Sequence, residues 1–574
     1  MSSPPGRARG LTSYGDPGFS RFIRMAFARH TGLGPEDYER PVIGICDTTS
    51  EINRCHAHFG PIVEALKRGI LMEGGVPFSF PTISLGEPFT SPTTMLYRNL
   101  AAMDTEEMIR AQPIDGVLLL GGCDKTVPAQ LMGASSADVP ALQFTGGPMN
   151  NGEYEGRTLG ACSDCRRYWQ EYRAGEIGEA ELERINESLA PTAGHCMVMG
   201  SASTMAVISE ALGIMPPGAA AIPATDNRRL AAAQEAGRII VRLAEAGTRP
   251  SQIFTHAAFE NAVRVLMAIG GSTNAVIHLM AIAGRVGVEL TLDDFDRASR
   301  ETPLIANLRP AGRYQMEEFF RAGGAPALMQ EMSSMLHLDA PTVTGKTLGE
   351  NIHGASVPAA HRDVIRTINE PLYADGGLAV LRGNLVPGGA VIKPRAASEA
   401  LLEHRGRAVV FSGVEDLERR VNDPELDVEP EDVLILRNAG PVGAPGMPEA
   451  GHLPIPEKLL RRGVRDMVRI SDARMSGTAS GTIVLHVAPE AAVGGPLALV
   501  RDGDEIELNV EERRLDLLVS DEELERRKRE ISGDDAMGSA RATNGHAARG
   551  YARLYREHVM QADSGCDFDF LRKA

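Results

Sequence analysis

A chain of 574 residues with 43% hydrophobic side chains, 61 Gly and 36 Pro is too long for one simple core and is expected to form two to four domains. Its formal charge of −17 argues against a nucleic-acid surface, and an acidic protein that binds acidic small molecules needs local positive charge, for which a metal ion is one source. With no run of roughly 18 apolar residues to span a membrane and no apolar signal core in Met1 to Gly10, the expectation is a soluble, cytoplasmic protein.

A loosely held N-terminal arm leads to a short helix around Phe19 to Arg29. Pro41 to Cys46 is a compact β-type run that ends in polar Asp47 to Ser50 and then Cys55-His56-Ala57-His58. Ile62 to Met72 carries apolar residues at 62, 63, 66, 70 and 71, the spacing of an amphipathic helix. Phe78 to Leu85 reads as extended, and the turn Gly86-Glu87-Pro88 leads to a helix from about Thr93 to Ala111. A strand at 114–120 then stops at Gly121-Gly122, and Cys123, Asp124 and Lys125 follow without a gap. Pro128 opens a helical segment from Ala129 to Ala137. A strand that hands over to a helix through a Gly-Gly turn puts the next residues at the carboxyl edge of a sheet, where open α/β folds build their sites. A thiol, a carboxylate and an amine are costly to bury there without a purpose. Val139 to Thr145 is another short strand, closed by Gly146-Gly147-Pro148. This alternation predicts an α/β fold with an N-terminal doubly wound, largely parallel sheet and helices.

From about residue 165 the chain turns helical. Arg166 to Leu189 reads as a charged surface segment, whereas Ser201 to Leu212 and Thr273 to Gly284 are rich in small residues and predicted to be buried. His278 in the latter reads as a core histidine rather than a ligand. After roughly residue 370 short β-type runs appear at 378–382, 390–393, 408–412, 432–436, 482–487, 504–510 and 515–519, separated by Gly, Pro and Asp turns. That texture predicts a C-terminal β-barrel-like domain. The boundary falls near Pro371 to Gly377, dividing the chain into residues 1–372 and 373–574. Asp521 to Glu530 reads as a solvated helix, and the tail from His558 to Ala574, with Phe568 and Phe570, is expected to dock against something, a neighbouring subunit included.

Seven cysteines in a large chain of a reducing compartment favour metal or redox use over a disulfide framework. Cys55, Cys123 and Cys196 each sit in a polar, Gly-rich turn beside a β-type run or a small-residue helix. Their spacing matches no compact ligand motif. Three soft thiolates converging from three loops would suit an iron–sulfur cluster or zinc; three unrelated buried thiols is the blander alternative. Cys162-Ser163-Asp164-Cys165 has a more familiar spacing, but no second pair completes a four-ligand zinc site. It reads as a decoy, reduced thiols near a surface helix. Glu87, Asp124 and Glu449 lie in Gly/Pro-shaped turns, where oxygen ligands suit a hard cation such as magnesium. Ser476 lies in the polar stretch Arg469 to Thr482, and a serine acts as base or nucleophile only when something lowers its pKa. No G-x-S-x-G elbow is present, which argues against a serine hydrolase.

Six stretches in order resemble the dihydroxy-acid/6-phosphogluconate dehydratase family: Ser91 to Met95 (SPTTM), Cys123 to Pro128 (CDKTVP), Gly270 to Ala275 (GGSTNA), Leu381 to Asn384 (LRGN), Gly440 to Met447 (GPVGAPGM) and Ser471 to Gly477 (SDARMSG). The resemblance runs from about Tyr14 to the tail. It implies a [2Fe–2S] cluster on Cys55, Cys123 and Cys196 with one iron left open. It also implies Mg2+ on Glu87, Asp124, Glu449 and Lys125, the last carbamylated so that an amine becomes an oxygen ligand. The catalytic base falls on Ser476, with His58 and Thr478 as further residues around the substrate. Branched-chain members typically carry Cys-Gly-Gly-Met around the third cysteine and Arg-Phe-Ser-Gly-Gly around the serine. Here Cys196-Met-Val-Met-Gly200 and Arg474-Met-Ser-Gly-Thr478 look like the pentonate and related sugar-acid dehydratases. The first motif, often Cys-Asn-x-His, reads Cys55-His56-Ala57-His58 and keeps its last histidine.

The implied reaction is β-elimination of water from a 2,3-dihydroxy carboxylic acid, giving a 2-keto-3-deoxy acid. A branched-chain or broad-specificity dihydroxy-acid dehydratase is the alternative within the family. A zinc hydrolase and a non-catalytic iron–sulfur redox sensor are the alternatives outside it. The expected partner is a small hydroxy-acid, not a nucleic acid or a membrane, and the expected assembly is a homodimer or dimer of dimers.

Overall fold

The computed structural model describes residues 15–533 and 549–573; the expectations for Met1 to Gly10 and for Ala574 lie outside the described residues. Four strands, β1 (Val42–Asp47), β2 (Val76–Pro81), β3 (Gly116–Gly121) and β4 (Ala141–Thr145), form a sheet of order β2-β1-β3-β4. Every pairing is parallel. β3 and β4 are buried along their whole length, which is why both read as unbroken apolar runs rather than alternating ones. Helices Phe59–Met72 and Arg228–Ala246 pack so closely that a Cβ on Gly69 would lie 1.9 Å from the Gln234 carbonyl oxygen. No residue but glycine fits there.

The helix after β3 spans Thr126–Ala137, three residues earlier than Ala129, because Pro128 sits within its first turn, where a missing N–H goes unnoticed. The charged segment from 166 to 189 is two helices, Ser163–Ala174 and Glu179–Leu189, parted at Gly175, whose φ of +79° ends the first. A hairpin of β5 (Gly152–Tyr154) and β6 (Arg157–Leu159) precedes them and was not legible as strand in a polar, Gly-rich stretch. Helices Ser201–Ala211 and Asn274–Val286 are buried as expected, the first throughout. His278 is fully buried and accepts a hydrogen bond at Nδ1 from Arg98 at 3.1 Å.

The second sheet has eight strands: β7 (Ala379–Leu381), β8 (Gly389–Ile392), β9 (Glu403–Phe411), β10 (Val433–Leu436), β11 (Arg469–Ser471), β12 (Ile483–Ala488), β13 (Glu505–Asn509) and β14 (Arg514–Leu517). Their order is β14-β13-β9-β10-β11-β12-β8-β7, parallel from β9 to β12 and antiparallel on both flanks. Arg382, just past β7, donates its amide to the Arg513 carbonyl at 2.8 Å and accepts from the Leu515 amide at 2.8 Å, so the two ends of the sheet nearly close into a barrel. β11 escaped the sequence reading because its three residues sit inside a polar motif. Along β9 and β10, Ala408, Val410, Val433 and Ile435 join one core while Val409, Phe411, Leu434 and Leu436 join another. Both faces of these strands are therefore covered.

The largest core belongs to both sheets' surroundings. It runs from Ile43 and Leu118 through the buried helices to Met447, Met475, Ile483 and Leu485. The tail docks within its own chain: Phe568 is buried against Leu96 and Tyr555, and Arg98 donates to the carbonyls of Gly565 and Cys566 at 2.9 and 2.8 Å. Arg285 and Asp567 add a fully buried ion pair at 2.6 Å. The expected docking of the tail is thus met within the chain, with Phe568 covered and Phe570 half exposed.

Candidate active site

Glu87 comes from the turn after β2, Asp124 from the turn after β3, and Glu449 from the short turn Glu449–His452 between β10 and β11. Their carboxylate oxygens lie within 4.8 Å of one another. Like charges this close repel unless something positive offsets them. Arg474, fully buried, donates from Nη1 to Glu449 at 2.6 Å and from Nη2 to Glu87 at 3.2 Å. Lys125 pairs with Asp124 and stands 4.0 Å from Glu87. Burial alone would raise the Glu87 pKa, but Arg474, Lys125 and the hydroxyls of Thr93 and Thr94 hold it down at about 2. Glu87 therefore stays ionised, and the three acids together offer an oxygen donor set that suits a hard cation. Loop closeness makes this possible: at Gly446 (φ +93°) a Cβ would fall 2.6 Å from the Leu96 amide nitrogen, so only glycine lets the Glu449 loop press onto the helix Thr94–Ala111.

Ser476 follows Arg474 by two residues, and its Oγ lies 2.8 Å from Thr478 Oγ1. Asn274 steadies this loop by donating to the Met475 carbonyl and to Ser201 Oγ, both at 3.0 Å. A Cβ on Gly477 would meet Ser272 Oγ at 2.4 Å, so the loop is wedged onto the N-termini of the two buried helices. Beneath it Lys393, at the end of β8, is completely buried with Nζ 3.5 Å from the Gly477 carbonyl. Desolvation pulls its pKa down to about 7. A lysine ending an apolar strand gave no sign of this in the sequence.

The thiols form three contacts, Cys162 with Cys165 being one. Cys55 hydrogen-bonds with Cys123, and that contact together with burial pushes the Cys123 thiol well above the usual range. Cys196 Sγ lies 3.5 Å from Cys162 Sγ. The two groups are joined through backbone: His58 Nε2 donates to the Gly146 carbonyl at 3.0 Å, and the His195 amide donates to the Gly147 carbonyl at 3.0 Å. His56 accepts the amides of Gly122 and Cys123 at 3.0 and 2.9 Å on Nε2, so its proton sits on Nδ1, facing the Thr48 carbonyl at 3.0 Å. Burial keeps it neutral, with a pKa of about 3. His58 Nδ1 and His195 Nε2 are buried without a hydrogen-bond partner, as expected beside a group that protein atoms do not supply. Among the described residues the thiols do not gather three ligand atoms within 4.8 Å, as a mononuclear zinc site would; ligands on the two irons of a cluster stand farther apart. The donor set fits a two-iron cluster.

The chain matches the dihydroxy-acid/6-phosphogluconate dehydratase N-terminal family over residues 40–351 and the corresponding C-terminal family over residues 363–566. The chain belongs to the dihydroxy-acid/6-phosphogluconate dehydratase family. It is a hydro-lyase of the sugar-acid branch, and its similarity extends end to end. It is 50% identical to an L-arabonate dehydratase of Azospirillum brasilense across 100% of this chain and 98% of that protein. It is 47% identical to a 6-deoxy-6-sulfo-D-gluconate dehydratase of Pseudomonas putida, covering 96% and 94% of the two chains. A dihydroxy-acid dehydratase of Halothermothrix orenii is 38% identical over 96% and 98%.

In this dehydratase the sequence-predicted Glu87, Asp124, Lys125 and Glu449 come together, and Cys55 meets Cys123. Cys196 touches Cys162, which the sequence reading had set aside. The reading missed three cations: the bridging role of Arg474, buried Lys393, and Arg166, whose Nη2 is 3.9 Å from Glu449. For Arg474 and Arg166 the only signal was position, next to Ser476 and Cys165 in their motifs. No helix of the described residues is long and apolar enough to cross a membrane.

Proposed function

We propose that the dehydratase converts a sugar acid of the pentonate or related type into its 2-keto-3-deoxy acid, with Ser476 as base, a magnesium ion on Glu87, Asp124, Glu449 and carbamylated Lys125, and a [2Fe–2S] cluster on Cys55, Cys123 and Cys196. The observation that carries this reading is Arg474: one buried guanidinium spans Glu87 and Glu449 and belongs to the loop that presents Ser476. The reading also divides the chain near Pro371 to Gly377, between a domain bearing the cysteines, Glu87, Asp124 and Lys125 and one bearing Glu449 and Ser476. It includes a cytoplasmic homodimer or dimer of dimers. The exposed Phe22 and Phe27 on the helix Pro17–Ala28 support a partner surface, since large apolar residues favour being covered.

When bound, the cation and the cluster supply Lewis acidity, the one at the carboxylate end and the other at the departing hydroxyl. The chain's own groups do the rest. Ser476 Oγ takes the C2 proton as the C2–H bond breaks; its hydrogen bond with Thr478 holds the oxygen in place. The electron pair becomes the C2–C3 double bond, the C3–O bond breaks and the departing hydroxide takes up the proton that Ser476 removed, leaving as water and resetting the base, and the enol tautomerises to the ketone. Arg474 holds Glu87 ionised, pairs with Glu449, and adds positive charge where a negatively charged substrate must settle. His58, three residues after Cys55 and anchored on the Gly146 carbonyl, keeps Nδ1 without a protein partner.

The test is a substrate panel with anaerobically purified protein: L-arabonate, other pentonates, hexonates, 6-deoxy-6-sulfo-D-gluconate, glycerate and 2,3-dihydroxyisovalerate. Formation of a 2-keto-3-deoxy acid from a sugar acid, at a kcat/KM at least tenfold above that for 2,3-dihydroxyisovalerate, is expected. Preference for the branched-chain acid would overturn the substrate assignment. Absence of both iron and acid-labile sulfide would overturn the cluster.

A further inference from the structure

We propose that Arg166 reads the far end of the substrate, donating hydrogen bonds to the hydroxyl groups that a sugar acid carries beyond C3. The inference rests on the sugar-acid reading above and names the residue that would enforce it. Arg166 lies near the start of the helix Ser163–Ala174, and its Nη2 stands 3.9 Å from Glu449, too far for a hydrogen bond. Its Nε is buried with no hydrogen-bond partner, while the side chain as a whole keeps 32% of its surface exposed. A guanidinium in that state has donors left for a molecule that is not protein.

Other arginines nearby are already committed. Arg167, the next residue, donates to Asp164 from Nε at 3.1 Å and from Nη2 at 2.9 Å. Arg173, on the same helix, donates to Asn422 at 2.7 Å. Arg474 is fully buried, with its Nη groups on Glu449, Glu87 and Thr93. The helix that carries Arg166 is also fixed near both ends. Asp164 accepts the Gly160 amide and Arg309, both at 2.7 Å, and Arg173 stands 3.7 Å from Glu457 of the short helix Glu457–Arg461. A donor aimed in advance loses little freedom when a ligand arrives.

Of the three acids Arg166 approaches Glu449 alone, and its charge also pulls down the Cys162 and Cys165 thiols. It therefore stands at the edge of the carboxylate cluster rather than at its centre. A substrate whose carboxylate end is held among the acids must send its remaining carbons towards an edge. Hydroxyls there would satisfy the free donors of Arg166. An alkyl tail would strip those donors of water and give nothing back, so the same residue would reject a branched-chain acid.

The experiment compares the unaltered chain with Arg166→Met and Arg166→Lys, purified anaerobically, with iron, sulfide and magnesium assayed on each. Two substrates are used: the pentonate or hexonate with the highest kcat/KM, and glycerate, which has no carbon beyond C3. Arg166→Met is expected to lose about 10–100-fold in kcat/KM for the sugar acid, mostly as a raised KM, with glycerate changed less than about threefold. Arg166→Lys keeps the charge without the planar fork and should recover only part of the loss. Where glycerate turns over too slowly to follow, its inhibition constant against the sugar acid takes its place and should not move. An equal loss on both substrates would overturn the proposal, because Arg166 would then serve the carboxylate end or the fold. An unchanged kcat/KM for the sugar acid, or full recovery with lysine, would overturn it too. A chain that dehydrates no sugar acid at all is a different result, which removes the reading on which the proposal rests.

Discussion

The carboxylate cluster and the thiol pairs follow one another in sequence at Cys123-Asp124 but are prepared in opposite ways. Around Glu87, Asp124 and Glu449 the counter-charge is already present, as Arg474 and Lys125, and Glu87 is ionised down to about pH 2. Around the cysteines compensation loses: Lys125 pulls the Cys123 thiol down, but the contact with Cys55 and burial push it well above the usual range, and nitrogens of His58 and His195 lack partners. A hard cation therefore meets a site whose geometry is set by permanent ion pairs. A soft metal has to displace protons from its ligands, so binding and thiol ionisation are one event. The difference teaches that an oxygen site can be held ready by salt bridges, whereas a sulfur site in the same protein is completed by its metal.

Four substitutions break or sharpen that contrast. Ser476→Ala should lower turnover by about 10²–10⁴-fold while leaving iron, sulfide and magnesium content unchanged, because the serine belongs to neither cluster. Activity within tenfold of the parent would remove Ser476 as the base. Arg474→Met strips the acids of their shared guanidinium and should reduce folding stability by about 3–5 kcal/mol, read from the denaturant midpoint. Added magnesium should recover part of the loss, and EDTA none; a variant as stable as the parent in EDTA would show that Arg474 does not hold the acids.

Lys393 is a buried cation held against a carbonyl rather than a carboxylate, and it reports the cost of leaving a charge uncompensated. Its folded pKa of about 7 lies below the ordinary 10.5, so between those values the unfolded chain binds more protons and stability rises with pH. Lys393→Met should therefore be more stable than the parent by on the order of a few kcal/mol near pH 6, with the gap in melting temperature closing towards pH 10. A gap that stays constant across that range would contradict the shifted lysine. The smallest effect is expected at His56→Phe, which orphans the amides of Gly122 and Cys123 at a cost of about 1–3 kcal/mol. Iron content should fall with it, and magnesium binding measured by calorimetry should not.

Much of the architecture was legible because it rests on local pattern. The runs at Val42–Asp47, Gly116–Gly121 and Ala141–Thr145 are apolar enough to be covered strands; polar Asp47 to Ser50 marked the end of the first and glycines the ends of the other two. What escaped was short or mixed in character: β11, three residues in a polar motif, and the break at Gly175 inside a charged segment. At the site, Cys123, Asp124 and Lys125 could be singled out because three reactive side chains follow a strand end. Cys162 could not, because the CxxC spacing points to a zinc half-site and the sulfur it meets is Cys196, brought near by a turn that sequence spacing does not encode.

Sequence alone determined which residue types were available and the family motifs that order them, since composition, periodicity and turn chemistry are local properties. Tertiary structure alone decided which of them meet: Arg474 reaching Glu87 across 387 positions, Lys393 buried under the serine loop, and Cys162 beside Cys196. The physical reason is that distance, desolvation and charge pairing depend on positions in space. They arise only when the strands of two sheets and the loops at their ends have packed around one core.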